Sequence, residues 1–284
     1  MAKQDRPGSG PWETPRYRNV VALASGIADA SSDRMFPWTD NVRRKRILDA
    51  PWPRDWEKIL TENSAHAALL KGELHRKWQQ TIQVLVAEKN WEGCGGLTMT
   101  DEVKVTVAAQ AGLMLLGMQH DYFAKVRSIA VFPSRFELPI EEWQKEAMVV
   151  EGVAPSEAVF LSWDCALCES RNISDGYNLV IHEFAHHLDF LDGYTNGCPD
   201  LQDKEQAQRW HAAMSAGFEQ VQRDLENEGK TFLGENAASN ATEFFAELSE
   251  CFFTIPGKLK ELYPAIYDVF VEYYGMDTVK WFQH

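Results

Sequence analysis

Two histidines, His182 and His186, stand four residues apart with Glu183 between them, and their types and spacing suggest metal chemistry. On a helix, residues at i and i+4 share one face with Cβ atoms about 6 Å apart. Both imidazoles can then reach one ion at Zn–N distances of about 2.0–2.1 Å. Glu183 can reach the open coordination position and accept a proton from water there. The spacing therefore predicts a zinc site with His182 and His186 as ligands and Glu183 as general base.

The surroundings of this motif support the zinc interpretation. It lies in an apolar helical run, residues 177–188, where two buried histidines without a ligand to satisfy them would be costly. Asp189 follows on the same helix, but at about 1.5 Å rise per residue it is about 10 Å from His182, too far to share the ion. We therefore predict that Asp189 accepts a hydrogen bond from a histidine N–H.

A catalytic zinc ion needs a third protein ligand and an open position. The candidate is Glu243, which shares one face of a predicted amphipathic helix with Glu247 and Glu250 at spacing i, i+4, i+7. Phenylalanine and leucine residues flank these acids, which favours carboxylates directed into an apolar site. A solvated acidic stripe is the other interpretation, and spacing alone leaves both open.

The elements that must position these residues are predicted to be mainly helices. Apolar residues at helical spacing and helix-start signals predict helices at 56–88, 103–118, 175–192, 204–228, 241–254 and 258–274. Runs of β-forming residues predict strands at 126–132 and 159–163 and a shorter one at 148–150, with a glycine-rich turn at 91–97. The predicted fold class is α+β, mostly helical with a small mixed β-sheet and the metal motif on a central helix.

Composition limits the classes of partner. The net charge of −14 argues against nucleic acid and against anionic membrane surfaces, since both are bound by clustered Lys and Arg. The basic run 43–46 leads into a helical pattern and indicates a solvated helix face. No segment has the apolar length of a membrane span or the pattern of a signal peptide, so a cytoplasmic protein is expected.

Domain organisation is predicted to be simple. Residues 1–35 are rich in Gly, Pro, Ser and charge, which is typical of a flexible N-terminal extension, and 36–284 form one domain. Five cysteines are too few and too scattered for a disulfide framework. Cys165 and Cys168 form a C-x-x-C, but no second pair at zinc-knuckle spacing accompanies them, so we interpret them as small, half-buried residues.

Several segments together resemble the Mlc titration factor A family of bacterial zinc peptidases. They are Trp91–Leu97, Ile129–Phe136, Leu161–Asp164, Asp175–Asp189 and Glu243–Glu250. The resemblance covers most of the chain from Phe36 onward. It implies a zincin-like catalytic domain and aminopeptidase-type activity on short peptides. It also implies that Glu243 joins His182 and His186 as the third zinc ligand and that Glu183 is the general base.

One position departs from this family. Where the family has a Tyr seven residues before the glutamate ligand, thought to stabilise the oxyanion, this sequence has Asn236. An Asn amide can donate a hydrogen bond, but its reach is shorter and it cannot act as an acid. Loss of one oxyanion donor typically costs about 100- to 1000-fold in rate. Tyr177 and Tyr194 are candidates to replace the missing hydroxyl in space.

The leading prediction is therefore a zinc-dependent metallopeptidase of aminopeptidase type. An edge strand would align the peptide by strand addition, with 126–132 and 159–163 as candidates. The alternative is a zinc-containing binding protein with little catalysis, because the family's name refers to binding a glucose-responsive repressor; Asn236 favours this alternative. A third alternative is a structural zinc protein, which would unfold when a chelator removes the metal.

Overall fold

The computed structural model describes residues 37–134, 157–229 and 231–283. The predicted extension 1–35 and the predicted strand 148–150 lie outside these ranges, and the domain boundary at residue 36 stays a prediction. The α-helices are α1 (Pro37–Asp49), α2 (Arg54–Asn63), α3 (His66–Leu69), α4 (Gly72–Glu88), α5 (Asp101–Leu113), α6 (Trp163–Arg171), α7 (Leu179–Asp189), α8 (Lys204–Glu228), α9 (Ala241–Thr254), α10 (Pro256–Leu262) and α11 (Pro264–Tyr274). Short 3₁₀ helices cover Phe190–Asp192, Glu235–Ala238 and Thr278–Phe282.

The three described strands form one parallel sheet in the order β1 (Asn90–Gly93), β2 (Ser128–Phe132), β3 (Ala158–Ser162). Asn90 pairs with Ser128, and Ser128 with Ala158. The α+β class is confirmed, but the predicted mixed sheet is wrong for the described strands, which are all parallel. Helix α5 makes the crossover between β1 and β2, and such a crossover lets consecutive strands run in the same direction.

Strand β1 occupies part of the segment that was predicted to be a turn. Residues 90–93 pair with β2, and the turn follows, with the Leu97 N–H donating to the Cys94 carbonyl. Its sequence, Asn-Trp-Glu-Gly, has little β propensity, so the pairing with the fully buried strand β2 decides its conformation. Strands β2 and β3 confirm the other two predictions to within two residues.

Two predicted helices are divided in the structure. The pattern at 56–88 is interrupted where Ser64 and Leu70 take extended backbone, and the Ala65 N–H there donates to the Ser170 carbonyl of α6. The pattern at 258–274 breaks at Tyr263, because a residue that precedes proline disfavours the helical region and Pro264 follows it. The helices predicted at 204–228 and 241–254 are confirmed as α8 and α9.

The core lies between α9 and the helices around it. Its centre is a cluster of aromatic side chains, among which Trp210 and Phe270 stack with ring centroids 5.2 Å apart. Other members are Phe245, Phe252, Tyr273 and Tyr274. Helix α5 is also buried over most of its length, and it packs against α2, α4 and α7. None of the described helices combines the length and the apolar character needed to cross a bilayer.

Candidate metal centre

Helix α7, which carries the histidines, has Asn178 as its N-cap. Three side-chain acceptors satisfy backbone N–H groups at this end of the helix. The Asn178 side chain accepts from the Ile181 N–H at 2.9 Å and acts as the N-cap. Glu169 accepts from the Leu179 N–H at 2.6 Å, and Glu250 accepts from the N–H of Asn178 itself. Two of these acceptors are carboxylates, which suit the positive end of the helix dipole. The helix therefore starts after the Asp175-Gly176 pair that was predicted to open it.

Helix α9 carries three glutamates, of which Glu243 and Glu250 face α7 and Glu247 faces the segment before α9. Asn240 caps the helix by accepting from the Glu243 N–H at 3.0 Å, so Glu243 lies in the first turn. Glu247 and Glu250 are only 7% and 5% exposed. A solvated acidic stripe is therefore excluded, and the interpretation that the carboxylates face the protein interior is confirmed.

The side chains of His182, His186 and Glu243 converge on one point between α7 and α9. Nε2 of His182 lies 3.2 Å from Oε2 of Glu243, and Nε2 of His186 lies 3.5 Å from Oε1 of the same carboxylate. The two imidazole rings are 4.8 Å apart and nearly perpendicular, at 85°. Among the described residues, these three form a His/Glu group whose ligand atoms all lie within 4.8 Å of one another.

The distances between these atoms match a zinc site. Two imidazole nitrogens and one carboxylate oxygen are a ligand set of catalytic zinc, which keeps a fourth position open. Bonds of about 2.0–2.1 Å in tetrahedral geometry place neighbouring ligand atoms about 3.3 Å apart. The observed separations of 3.2 and 3.5 Å lie close to that value, and they join the two histidines to different oxygens of the Glu243 carboxylate. The chemistry and the spacing of the three side chains therefore suit zinc.

Glu183 follows His182 on α7 and is partly buried. Burial raises the pKa of its carboxyl above the usual range, the nearby carboxylates Glu243 and Glu250 raise it further, and His182 partly offsets them. A raised pKa improves a carboxylate as a proton acceptor, because a general base works best when its pKa approaches the operating pH. The environment therefore suits the predicted role of Glu183.

The two histidines differ in their affinity for protons. Burial disfavours the charged form of His182, but its hydrogen bonds to Glu243 and Glu250 outweigh burial and raise its pKa to about 10. Burial and the positive charge of His182 lower the pKa of His186 to about 4. The hydrogen bond from His182 also lowers the pKa of Glu243. His182 therefore has the higher proton affinity of the two rings, because two carboxylates face it.

The prediction that Asp189 accepts a hydrogen bond from a histidine N–H is wrong, because the carboxylate beside Nδ1 of His182 belongs to Glu250. Nδ1 of His182 lies 2.7 Å from Oε1 of Glu250, and the two residues are 68 positions apart. The role of Glu250 was missed, and its only signal in the sequence was its place on the face of Glu243. Nδ1 of His186 has no hydrogen-bond partner among the described residues.

Asp189 instead forms a hydrogen bond with the loop that follows α7. Its carboxylate is fully buried and accepts from the Gly197 N–H at 2.9 Å. Burial raises the pKa of this carboxyl, and the nearby backbone of residues 196–198 and the Thr242 side chain partly offset that rise. Because Thr242 precedes Glu243, this carboxylate at the end of α7 lies near the start of α9.

Asn236 lies in the 3₁₀ helix Glu235–Ala238 before α9, and its side chain is exposed. Its carbonyl accepts from the N–H and the hydroxyl of Ser239. Within the described part of the chain, its side chain makes no hydrogen bond to His182, His186 or Glu183. Tyr177 and Tyr194 are strongly exposed, and the structure likewise shows no hydrogen bond from either described side chain to the cluster. A catalytic role for Asn236 stays a prediction.

Cys165 and Cys168 lie on α6, and neither forms a disulfide with a described cysteine. Cys165 is half-buried, as predicted, whereas Cys168 is exposed.

A helix with histidines at i and i+4, an adjacent glutamate and a second glutamate from a neighbouring helix is the arrangement of a metallopeptidase-type centre. The chain belongs to the glucose-regulated metallo-peptidase M90 family, whose model matches residues 39–275. Membership implies a metal ion, and the described cluster offers a place for it.

Individual relatives agree with the family. The chain is 29% identical to the uncharacterised protein slr2042 of Synechocystis sp. (strain ATCC 27184 / PCC 6803 / Kazusa) over 250 residues, which is 85% of this chain and 90% of that protein. It is 28% identical to Mlc titration factor A of Yersinia pestis (strain Pestoides F) over 206 residues, 69% of this chain and 75% of the relative. Mlc titration factor A of Yersinia pseudotuberculosis serotype O:1b (strain IP 31758) matches equally well. The resemblance to the Mlc titration factor A family is thereby confirmed.

Proposed function

We propose that the protein is a zinc-dependent peptidase of aminopeptidase type that hydrolyses short peptides. His182, His186 and Glu243 hold the ion, and Glu183 is the general base. The observation that carries the proposal is the convergence of two imidazole nitrogens from α7 and one carboxylate from α9 at separations of 3.2 and 3.5 Å. The zincin-like fold and the aminopeptidase type rest on the family resemblance.

The chemistry divides between the ion and the protein. A bound zinc ion would polarise the scissile carbonyl and lower the pKa of the attacking water. Glu183, with its pKa raised by burial, accepts the proton of that water and delivers it to the leaving amine. The site is partly buried, which strengthens these interactions relative to open solvent.

The sheet narrows the choice of strand that could align a peptide. Strand β2 pairs with β1 on one edge and with β3 on the other, so it has no edge left for a substrate. Strand β3 pairs only with β2 among the described strands and packs against α7. Residues 158–162 are therefore the better candidate for substrate binding by strand addition, which supplies main-chain hydrogen bonds along an extended peptide.

Substitution of Glu183 by Gln tests the proposal. The amide keeps the shape of the side chain but cannot take a proton, so we expect the kcat on aminoacyl chromogenic substrates to fall by about 100- to 10,000-fold. Zinc content, measured by elemental analysis, should stay at the wild-type level. The matched control is Glu219→Gln on the exposed face of α8, which should keep full activity. Undiminished hydrolysis by the Glu183 variant would sink the assignment of the general base.

Asn236 supports a second candidate function, that of a regulatory binding protein with weak catalysis. Two relatives carry the name Mlc titration factor A, which says that those proteins titrate Mlc. By analogy, this chain would bind a transcriptional repressor, and an exposed Asn236 in place of a Tyr would leave it a poor enzyme.

Comparison of the wild type with Asn236→Tyr separates the two functions. If the protein is a weakened peptidase, the new hydroxyl should raise kcat by up to about 100- to 1000-fold across a panel of aminoacyl substrates. Zinc affinity should not change, because the residue is not a ligand. A complete lack of hydrolysis in both proteins, with zinc bound, would contradict the peptidase proposal and favour the binding role.

A further inference from the structure

We propose that Glu250 is a positioning residue that orients His182 for the metal and selects the ring nitrogen that binds it. This inference rests on the proposed metal site and deepens it. Glu250 does not approach the point between His182, His186 and Glu243; it acts from behind the first histidine. Nothing in the spacing of the zinc motif itself points to Glu250.

The geometry around His182 carries the inference. One edge of the ring presents Nε2 to Glu243 at 3.2 Å, and the opposite edge presents Nδ1 to Oε1 of Glu250 at 2.7 Å. If Nδ1 carries the hydrogen and donates it to Glu250, the lone pair of the neutral imidazole is on Nε2, where the metal ligands converge. A carboxylate in this position also raises the basicity of the ligating nitrogen.

The second oxygen of Glu250 has a separate task at the start of α7. It accepts from the backbone N–H of Asn178, the residue whose side chain caps that helix. One carboxylate therefore fixes both the beginning of α7 and the ring one turn further along. With 5% exposure, Glu250 has little water to replace either bond.

The chemistry of the side chain explains why a carboxylate is needed. Both of its oxygens only accept, and each faces a donor. A glutamine amide has one accepting oxygen, so it can serve Asn178 or His182 but not both. If its NH₂ group faces the ring, Nδ1 must become the acceptor, and the hydrogen moves to Nε2, where it blocks the metal.

The zinc dissociation constant of Glu250→Gln tests the inference without any measurement of activity. Competition with a coloured chelator should show affinity weakened by about 10- to 100-fold relative to the wild type, the usual cost of losing such a partner. The matched control is Glu247→Gln on the same face of α9. Glu247 is similarly buried, but its carboxylate accepts from the Gly234 N–H at 2.6 Å and makes no hydrogen bond to the described histidines. The control should bind zinc within about twofold of the wild type.

Nuclear magnetic resonance of the ¹⁵N-histidine-labelled, zinc-loaded wild type gives a second test that does not depend on a variant folding. We expect His182 to show a hydrogen-bonded proton on Nδ1 and zinc coordination at Nε2. The reverse assignment, or a Glu250→Gln affinity equal to that of the wild type, would overturn the role of Glu250 alone. A wild type that binds no zinc would instead overturn the proposed function, and the inference with it.

Discussion

Glu243, Glu247 and Glu250 are three carboxylates on one face of α9, and each has different partners. Glu243 faces both histidines, Glu247 holds the backbone of Gly234, and Glu250 faces the back of His182. Successive positions along the helix rise by about 1.5 Å per residue, so the three acids reach α7 and its surroundings at different heights. The three carboxylates on this face therefore have three different functions.

Removal of Glu243 should affect zinc binding more than any other change on this face. We expect Glu243→Ala to weaken zinc affinity by more than the 10- to 100-fold that loss of an outer partner costs, because two imidazoles alone remain. Titration with zinc in the presence of a competing chelator measures it. Affinity equal to that of Glu247→Gln would contradict the assignment of Glu243 as a ligand.

The sequence predicts the local part of this site better than the distant part. His182, Glu183 and His186 lie within five consecutive positions, so helical geometry alone brings them together. Only the family resemblance identified Glu243, among the three glutamates on its helix face, as the third ligand. The spacing alone did not decide whether these glutamates face an apolar site or solvent. Glu250 and His182 are 68 positions apart, and Asp189 was given the role of Glu250 because only the packing of α9 on α7 decides between them.

Gly197 lies at the junction of three helices. Its N–H donates to Asp189 at the end of α7, and its carbonyl accepts from Nε1 of Trp210 on α8 at 3.1 Å. Its backbone φ is +71°, and a Cβ built there would lie 2.3 Å from the carbonyl oxygen of Ala241, the first residue of α9. A side chain at this position would displace the start of the helix that carries Glu243.

Alanine at Gly197 should therefore damage both the fold and the site. We expect a loss of more than about 1 kcal/mol in the free energy of unfolding and weaker zinc binding. Urea unfolding and chelator competition measure the two effects. Gly193→Ala is the control, because Gly193 also has a positive φ, +94°, but nothing lies within 4 Å of its Cβ position. Equal effects of the two substitutions would show that the contact with Ala241 is unimportant.

Strand directions could not be obtained from the sequence at all. The apolar runs at 126–132 and 159–163 predict strands by composition, but whether they run parallel depends on the path of the chain between them. Strand β1 is even harder to predict from the sequence, because Asn90 and Gly93 are poor strand formers. Residues 90–93 form a strand only because they pair with β2. Helices with long periodic patterns, such as α8, are determined by their own sequence and were predicted correctly.

The whole molecule has a core that does not depend on the metal. The aromatic cluster around Trp210 and Phe270 packs beneath α9, on the side away from the acidic face. Large aromatic side chains dominate the energetics of such cores. This favours a catalytic over a structural role for the ion.

A chelator should therefore silence the protein without unfolding it. We expect the circular dichroism spectrum to persist after zinc removal, while the melting temperature falls by roughly 10 °C, which corresponds to about 4 kcal/mol for an ion at 1000 times its Kd. Calorimetry with and without the chelator gives the shift. Unfolding at room temperature on chelation would support a structural zinc protein instead.

A buried histidine outside the metal cluster should make stability depend on pH. Nε2 of His66 donates to the Phe253 carbonyl at 2.9 Å, and burial lowers its pKa to about 4, against 6.5 in the unfolded chain. The folded state thus favours neutral His66, so this contribution is complete above pH 6.5 and is lost as pH falls toward 4. The loss amounts to about 3 kcal/mol at most.

Urea unfolding of metal-free wild type and His66→Gln from pH 7 to 4 measures this contribution. The Gln amide can still donate to Phe253 but does not titrate. We therefore expect the wild type to lose up to about 3 kcal/mol more than the variant over this range. Parallel curves for the two proteins would refute a neutral, buried His66.

The distance along the chain between α7 and α9 has a consequence for synthesis. His182 and His186 leave the ribosome first, and a nascent chain that ends between the two helices carries only a two-histidine site, without Glu243 and without the acceptor for His182. Two imidazoles fall short of the three protein ligands of catalytic zinc. The proposed hydrolytic centre is therefore completed late, when α9 has emerged and packed, and an unfinished chain would lack it.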